Sequence, residues 1–336
     1  MPQIEHNRSL REFNSFGIEV EAQSFARFGS VEALKALLEG QEAGPIMILG
    51  GGSNVLFTKN VDALVLRNEI RGIDIVQEDD DFVFVQFGAG EVWHDCVMWA
   101  VDAGYAGIEN LSLIPGSIGA APMQNIGAYG VELKDVFHSL DALHLESHKV
   151  ESFDAESCQF GYRESVFKKE KKNQYVILSV CLKLRKEALL NIAYGAIQSE
   201  LERMEISAPQ IEDISKAVIN IRSSKLPDPK QIGNAGSFFK NPVIAVEQFE
   251  ELKKEYANIP SYPLEEGVKV PAGWLIEQAG WKGHKEGDIG VHDKQALVLV
   301  NRGKGSGQEI YDLSQKILED IKSRYGIELE REVNIV

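Results

Sequence analysis

Ile48-Leu49-Gly50-Gly51-Gly52-Ser53-Asn54-Val55-Leu56-Phe57, residues 48–57, sets three glycines and two small polar residues between two apolar runs. Consecutive glycines let backbone N–H groups turn toward one point, which makes a cradle for an anion such as a pyrophosphate. The residues after Asn54 read as a strand, whereas a Rossmann fingerprint or a P-loop opens a helix there. No GxGxxG, GKS or GKT pattern is present. The segment therefore reads either as a phosphate cradle of another lineage or as a glycine turn between two strands, and alone it does not choose between them.

Outward from the loop, residues 31–38 carry helical spacing with Ser30 as N-cap and Gly40 beyond the end, and 46–49 reads as a strand. Strands follow near Val55 and at 64–66, then a hairpin of 73–76 and 82–87 across the acidic turn 78–81. Residues 91–103 read as a helix with Val92, Trp93, Val97, Ala100 and Val101 on one face. Strand, loop, strand, hairpin, helix is an α+β order, not alternating βα units. Further strands are read at 136–145 and 175–184, and a helix at 213–225 is broken by Lys225-Leu226-Pro227-Asp228-Pro229, the clearest boundary in the chain. Beyond it lie helices near 246–256 and 272–279, a strand at 296–301, a helix at 307–325 and a terminal strand.

With 336 residues the chain is long enough for two or three domains. Its formal net charge of −16 leaves no excess of Lys and Arg to neutralise a nucleic acid, so an anionic ligand must be held by local cations. Cys96, Cys158 and Cys181 are scattered, with no CxxC and no histidine at ligand spacing, so buried thiols are expected and a metal site is not. The N-terminus is polar and no run of eighteen apolar residues occurs, so a cytoplasmic chain without a membrane span is expected.

A second glycine-rich segment, 111–130, is free of charge over twenty residues. That composition suits backbone pressed against a large flat ligand. Three side chains have chemical potential. Ser237 follows Gly236 and precedes Phe238-Phe239-Lys240, so its hydroxyl reads as a proton donor, as an S-x-x-K acyl nucleophile with Lys240, or as a group bonded to its own turn. In the terminal strand, alternation puts Leu329, Val333 and Ile335 on one face and Glu330, Glu332 and Asn334 on the other. Arg163, after Gly161-Tyr162, has the fork geometry to clamp a carboxylate.

Taken in order, NSFG at 14–17, LGGGSN at 49–54, LIPGSIGAAPMQNIGAYG at 113–130, GYRESVFK at 161–168, KLPDP at 225–229, GNAGSFFKNP at 233–242 and LEREV at 329–333 span nearly the whole chain. Together they resemble the UDP-N-acetylenolpyruvoylglucosamine reductase (UDP-N-acetylmuramate dehydrogenase, MurB) family, type I, flavoenzymes of peptidoglycan synthesis. The resemblance implies an α+β chain with a vanillyl-alcohol-oxidase/PCMH-type FAD-binding fold of two subdomains plus a C-terminal α+β substrate-binding domain. The implied spans are 1–70, with 328–336 returning near it, then 71–210 and 211–327.

The resemblance also implies the chemistry. NADPH reduces non-covalently bound FAD, and hydride then passes from the flavin to C3 of the enolpyruvyl ether. Arg163 and Glu332 stabilise the charge that develops, and Ser237 gives its proton to C2. The flavin pyrophosphate is expected on Gly50, Gly51, Gly52, Ser53 and Asn54 and on Pro115, Gly116, Ser117, Gly119 and Ala120, with the ring against Ile126, Gly127 and Tyr129. Tyr194, Lys225, Asn241, Lys282 and Gln295 are expected to contact the nucleotide-sugar substrate. The expected partners are small molecules, with no nucleic acid and no membrane, and the chain is expected to be a monomer. The competing readings are a serine acyl enzyme using Ser237 and Lys240, and a non-catalytic nucleotide-sugar-binding flavoprotein.

Overall fold

A computed structural model describes residues 3–40 and 44–336; the first two residues and 41–43, both within the span 1–70, lie outside the described residues. The chain forms two compact units, each discontinuous in sequence. The first comprises Met1–Arg8, Ala22–Gly51 and Asp62–Ser224, and the second Ser9–Glu21, Gly52–Val61 and Lys225–Val336.

In the first unit a four-stranded sheet runs in the order Glu5–Ser9, Glu21–Phe28, Val61–Asn68, Ile46–Leu49. Ile46–Leu49 pairs in parallel with its neighbour, Ile48 opposite Leu66. Helix Val31–Glu39 is capped by Ser30, whose hydroxyl accepts from Ala33 N at 3.1 Å. Its buried Leu34, Leu37 and Leu38 share a core with Phe28, Leu64 and Leu66. A five-stranded antiparallel sheet runs Val150–Asp154, Phe137–His144, Tyr175–Arg185, Phe82–Gly88, Ile73–Glu78.

Along Tyr175–Arg185 only Ser179 and Lys183 among the interior residues stay partly exposed; Ile177, Val180, Leu182 and Leu184 join one core and Val176 and Leu178 another, the near-continuous burial of a strand covered on both faces. Helix Trp93–Asp102 buries Trp93, Cys96, Val97, Ala100 and Val101 in the same core, the apolar face read from its spacing. Helices Gly195–Arg203 and Ile211–Lys225 pack through Ile197, Leu201, Ile214, Val218 and Ile221.

In the second unit a four-stranded sheet runs Gly233–Asn234, Leu299–Asn301, Ile289–Val291, Lys285–Glu286. A smaller sheet joins Val243–Ile244, Gly267–Lys269 and Tyr262–Leu264. Helix Gly307–Tyr325 opens on a capping box of Ser306 and Glu309 and stops at left-handed Gly326.

Two sequence readings change here. The strand read at 296–301 is only Leu299–Asn301, because Val298 N turns back to Gln295 O at 3.1 Å. The terminal strand is only Asn334–Ile335, parallel to Val55–Leu56, preceded by an isolated antiparallel bridge between Phe239 and Arg331. Because the chain changes partner between 331 and 334, the alternation does not continue: Leu329 and Val333 are buried, whereas Ile335 is 37 % exposed.

Candidate flavin and substrate site

The two glycine segments, distant in sequence, touch within the first unit. A Cβ on Gly51 would lie 3.0 Å from Gly116 Cα, and one on Gly50 would strike the Ser117 hydroxyl and lie 3.9 Å from Ala120 Cβ. The second segment is fixed from behind. Trp93 N donates to Gly116 O at 3.0 Å, Ile118 N to Glu91 O at 2.8 Å, and Gly119 N to Ala89 O at 2.8 Å. Gly119 must be glycine, because a Cβ would sit 2.7 Å from that of Ala89. Pro115 leads into this turn, and the one-turn helix Ile118–Ala120 follows Ser117. The last three loop residues belong to the second unit, where Gly52 is left-handed and its O accepts from Ser15 N at 3.0 Å.

The ring-facing residues of the sequence reading gather on a short hairpin of the first unit, Gly127–Ala128 with Val131–Glu132. Arg163 braces it: Nη2 donates to Gly127 O at 2.6 Å and Nη1 to Asn125 O at 3.4 Å, with the guanidinium 5.3 Å from the Tyr162 ring. Buried Asn125 ties the same region together by donating to Gly161 O at 3.0 Å and to Glu132 Oε2 at 3.1 Å. Leu113, Asn125, Tyr129 and Arg163 all have positive φ, between 44° and 58°. Such backbone is costly for non-glycine residues and persists only where the surrounding contacts hold it.

Sequence reasoning missed two residues here. Arg222, half-buried on helix Ile211–Lys225, donates from Nε to Leu113 O at 3.2 Å and lies beside the Tyr129 phenol. Burial draws its guanidinium below the usual arginine range, with Tyr129 opposing, and burial raises the Tyr129 phenol. The signal was there: Ile211, Ser215, Val218 and Arg222 follow one helical stripe, so a cation continues a buried face. His94 accepts from Leu113 N at 3.0 Å, and burial holds it below its ordinary value. Tyr194, 44 % exposed, sets its ring edge-on to Tyr129 with centroids 5.4 Å apart.

In the second unit strand pairing brings together Ser237, Glu332 and Asn54. Glu332 N donates to Phe238 O at 2.8 Å and Lys240 N to Glu330 O at 2.9 Å, so Ser237 adjoins the backbone partner of Glu332. Asn54 Nδ2 donates to Glu332 O at 3.3 Å, which links the end of the glycine loop to the backbone of Glu332. Ser237 itself is exposed, on a turn fixed by left-handed Gly236 and fully buried Phe238. Lys240 makes a 2.8 Å ion pair with Glu330.

The remaining expected substrate contacts, also of the second unit, are spread among several elements. Asn241 Oδ1 accepts from Ala272 N at 3.0 Å, Gln295 Oε1 accepts from Leu297 N at 3.3 Å, and Lys282 pairs with Glu277 at 2.8 Å. Lys225 is exposed at the end of its helix. Among the described residues no group of three acidic, histidine or cysteine side chains could hold a metal ion.

The chain is similar to known proteins along nearly its whole length. The family described as "UDP-N-acetylenolpyruvoylglucosamine reductase, C-terminal domain" matches residues 228–336, and "FAD binding domain" matches 22–149. A UDP-N-acetylenolpyruvoylglucosamine reductase of Flavobacterium johnsoniae is 50 % identical over 336 residues, covering 99 % of this chain and 100 % of its own. One from Pseudomonas syringae pv. tomato is 49 % identical, covering 97 % of each. The crystal structure of the enzyme from Thermus caldophilus superposes with a TM-score of 0.70 over 100 % of this chain and 98 % of its own; at 22 % identity it speaks for the α+β fold alone. Half-identity along the full length of both sequences leaves one assignment: the chain belongs to the UDP-N-acetylenolpyruvoylglucosamine reductase family.

Proposed function

We propose that the chain reduces UDP-N-acetylglucosamine enolpyruvate to UDP-N-acetylmuramate with NADPH, a step of peptidoglycan synthesis, and that Arg163, Ser237 and Glu332 carry the chemistry. The residues present suit FAD: the Gly50–Gly51 backbone lies bare of side chains against Gly116 and Ser117, which is the shape a pyrophosphate cradle needs. FAD, when bound, supplies the hydride that NADPH delivers to it. Residues 50–54, with Pro115, Gly116, Ser117, Gly119 and Ala120, hold its pyrophosphate, and Ile126, Gly127 and Tyr129 lie against its ring. The three-span division 1–70, 71–210 and 211–327 remains part of this reading.

Hydride addition to C3 of the enol ether leaves negative charge on C2 and its carboxylate. Arg163 stabilises that charge as a planar cation with two forked donors. Glu332 shares in stabilising that charge, and Ser237 gives C2 its proton. Tyr194, Lys225, Asn241, Lys282 and Gln295 bind the nucleotide and diphosphate. The observation that carries this reading is the exposed Ser237 hydroxyl on a rigid turn, in backbone register with Glu332. The acyl-enzyme alternative needs Lys240 as a base toward Ser237, and an ammonium committed to Glu330 does not suit that task.

We also propose a cytoplasmic monomer. All three cysteines are free and buried, as suits a reducing compartment, and no helix of the described residues is long and apolar enough to cross a membrane. Sedimentation tests the monomer.

Anaerobic stopped-flow kinetics of Ser237→Ala tests the chemistry. Flavin bleaching by NADPH is expected to stay at the wild-type rate, while recovery of colour with the enolpyruvyl substrate slows about 10²–10³-fold, the scale of one preorganised donor. Equal loss in both half-reactions removes Ser237 as the proton donor. A flavoprotein that binds the nucleotide sugar and never recovers its colour in the wild type is non-catalytic.

A further inference from the structure

Tyr129 and Gly130 form the two-residue loop of the Gly127–Glu132 hairpin, with φ of 50° and 80°. Loops with two positive φ values belong to Asn-Gly, Asp-Gly and Gly-Gly, so tyrosine in the first position is strained and needs outside support. Asn110 gives it. This side chain is 1 % exposed, and its one amide group donates to Tyr129 O at 3.2 Å and to Asn191 O at 2.9 Å. Asn191 completes the clasp by donating from Nδ2 to Gly130 O at 3.0 Å. Both N–H bonds of the Asn110 amide are thus used, one on the hairpin and one on the segment that leads to Tyr194. A flipped amide would set its oxygen against two carbonyls, so the orientation is determined.

Residues 187–194 form neither helix nor strand. Three residues after Asn191 comes Tyr194, its ring edge-on to Tyr129. We propose that Asn110 is a positioning residue for the reduction: it clasps the Tyr129 turn to the Asn191 carbonyl and so sets Tyr194 where the substrate is bound. The proposal rests on the function given above, with Tyr194 as a substrate contact. The hairpin has a separate brace in the Arg163 bond to Gly127 O, so losing the clasp moves Tyr194 more than it moves the hairpin.

The test uses the flavin-loaded full chain and Asn110→Leu, which keeps the volume and removes both donors. The KM for UDP-N-acetylglucosamine enolpyruvate is expected to rise about tenfold, the scale of one buried hydrogen bond. The rate of flavin bleaching by NADPH and the flavin spectrum stay at wild type. In a Tyr194→Ala background the same substitution adds no further rise in KM, because the two residues act through one contact. An equal rise in both backgrounds, or none in either, overturns the proposal. Should Asn110→Leu fail to fold or to hold flavin, Asn110→Ser keeps a polar group but cannot reach both carbonyls at once; it is expected to raise KM in the same way, and an unchanged KM overturns the proposal. A wild-type protein that carries no flavin or turns over no substrate refutes the underlying function instead.

Discussion

Gly52 faces the Phe13 carbonyl closely enough that a methyl group at its α-carbon would collide with that oxygen. Its φ of 63° adds the cost of left-handed backbone, about 1–2 kcal/mol for any side chain. Gly52→Ala should therefore lower the urea midpoint with the slope unchanged, the mark of lost stability rather than of altered compactness. An unchanged midpoint would show that the loop yields at no cost. At this scale the sequence was readable where chemistry is local. Triple glycine announces close backbone approach, and Gly236-Ser237-Phe238 announces a rigid turn with its hydroxyl outward. Arg222 was readable only as a cation on a buried helical stripe and Asn110 not at all, because their partners are carbonyls of Leu113, Tyr129 and Asn191 that only folding brings near.

Two helices meet at one residue. Leu113, with φ of 58°, has its N–H on His94 of helix Trp93–Asp102 and its carbonyl on Arg222 of helix Ile211–Lys225. Burial, aided by nearby Arg222 and opposed by Asp95, keeps the His94 pKa below its ordinary 6.5. The unfolded chain therefore binds more protons than the folded one just below pH 6.5, and stability rises with pH through that window and is lost as pH falls. Protonation also removes the acceptor for Leu113 N. In His94→Asn the amide oxygen takes the place of the imidazole nitrogen and does not titrate. Its urea midpoint should fall less than that of wild type between about pH 7 and pH 5.5, across the ordinary histidine range. Parallel slopes would exclude His94. Elements with explicit ends were legible, such as the helices begun by Ser30 and Ser306. Helix Gly195–Arg203 was not, since its first turn has no side-chain cap. The terminal strand misled because alternation assumes one continuous partner, and this chain exchanges Phe239 for Val55–Leu56.

Across the whole molecule, periodicity follows contiguity, whereas the second unit is assembled from three separated segments. Some of the contacts between those segments are approaches of bare backbone: Gly233 lies against Phe16 and Gly307 against Phe57, both too close for a Cβ. No hydrophobic pattern records such contacts, so the interleaving was invisible while the ordered motifs were plain. The proposed cradle needs the folded approach of Gly50 and Gly51 to Gly116 and Ser117, so FAD should bind the folded chain and not the unfolded one. At a free concentration one hundred times its Kd, such a ligand adds about 2.7 kcal/mol of stability. The melting temperature of the apoprotein should rise steadily with added FAD. Neither 50–54 nor 113–130 contains His or Cys, the residues that would tether a flavin covalently. Acid precipitation of the yellow holoprotein should therefore leave all of its colour in the supernatant. A yellow pellet would mean a covalent link, and a protein that stays colourless and melts unchanged after FAD reconstitution would remove the flavin site altogether.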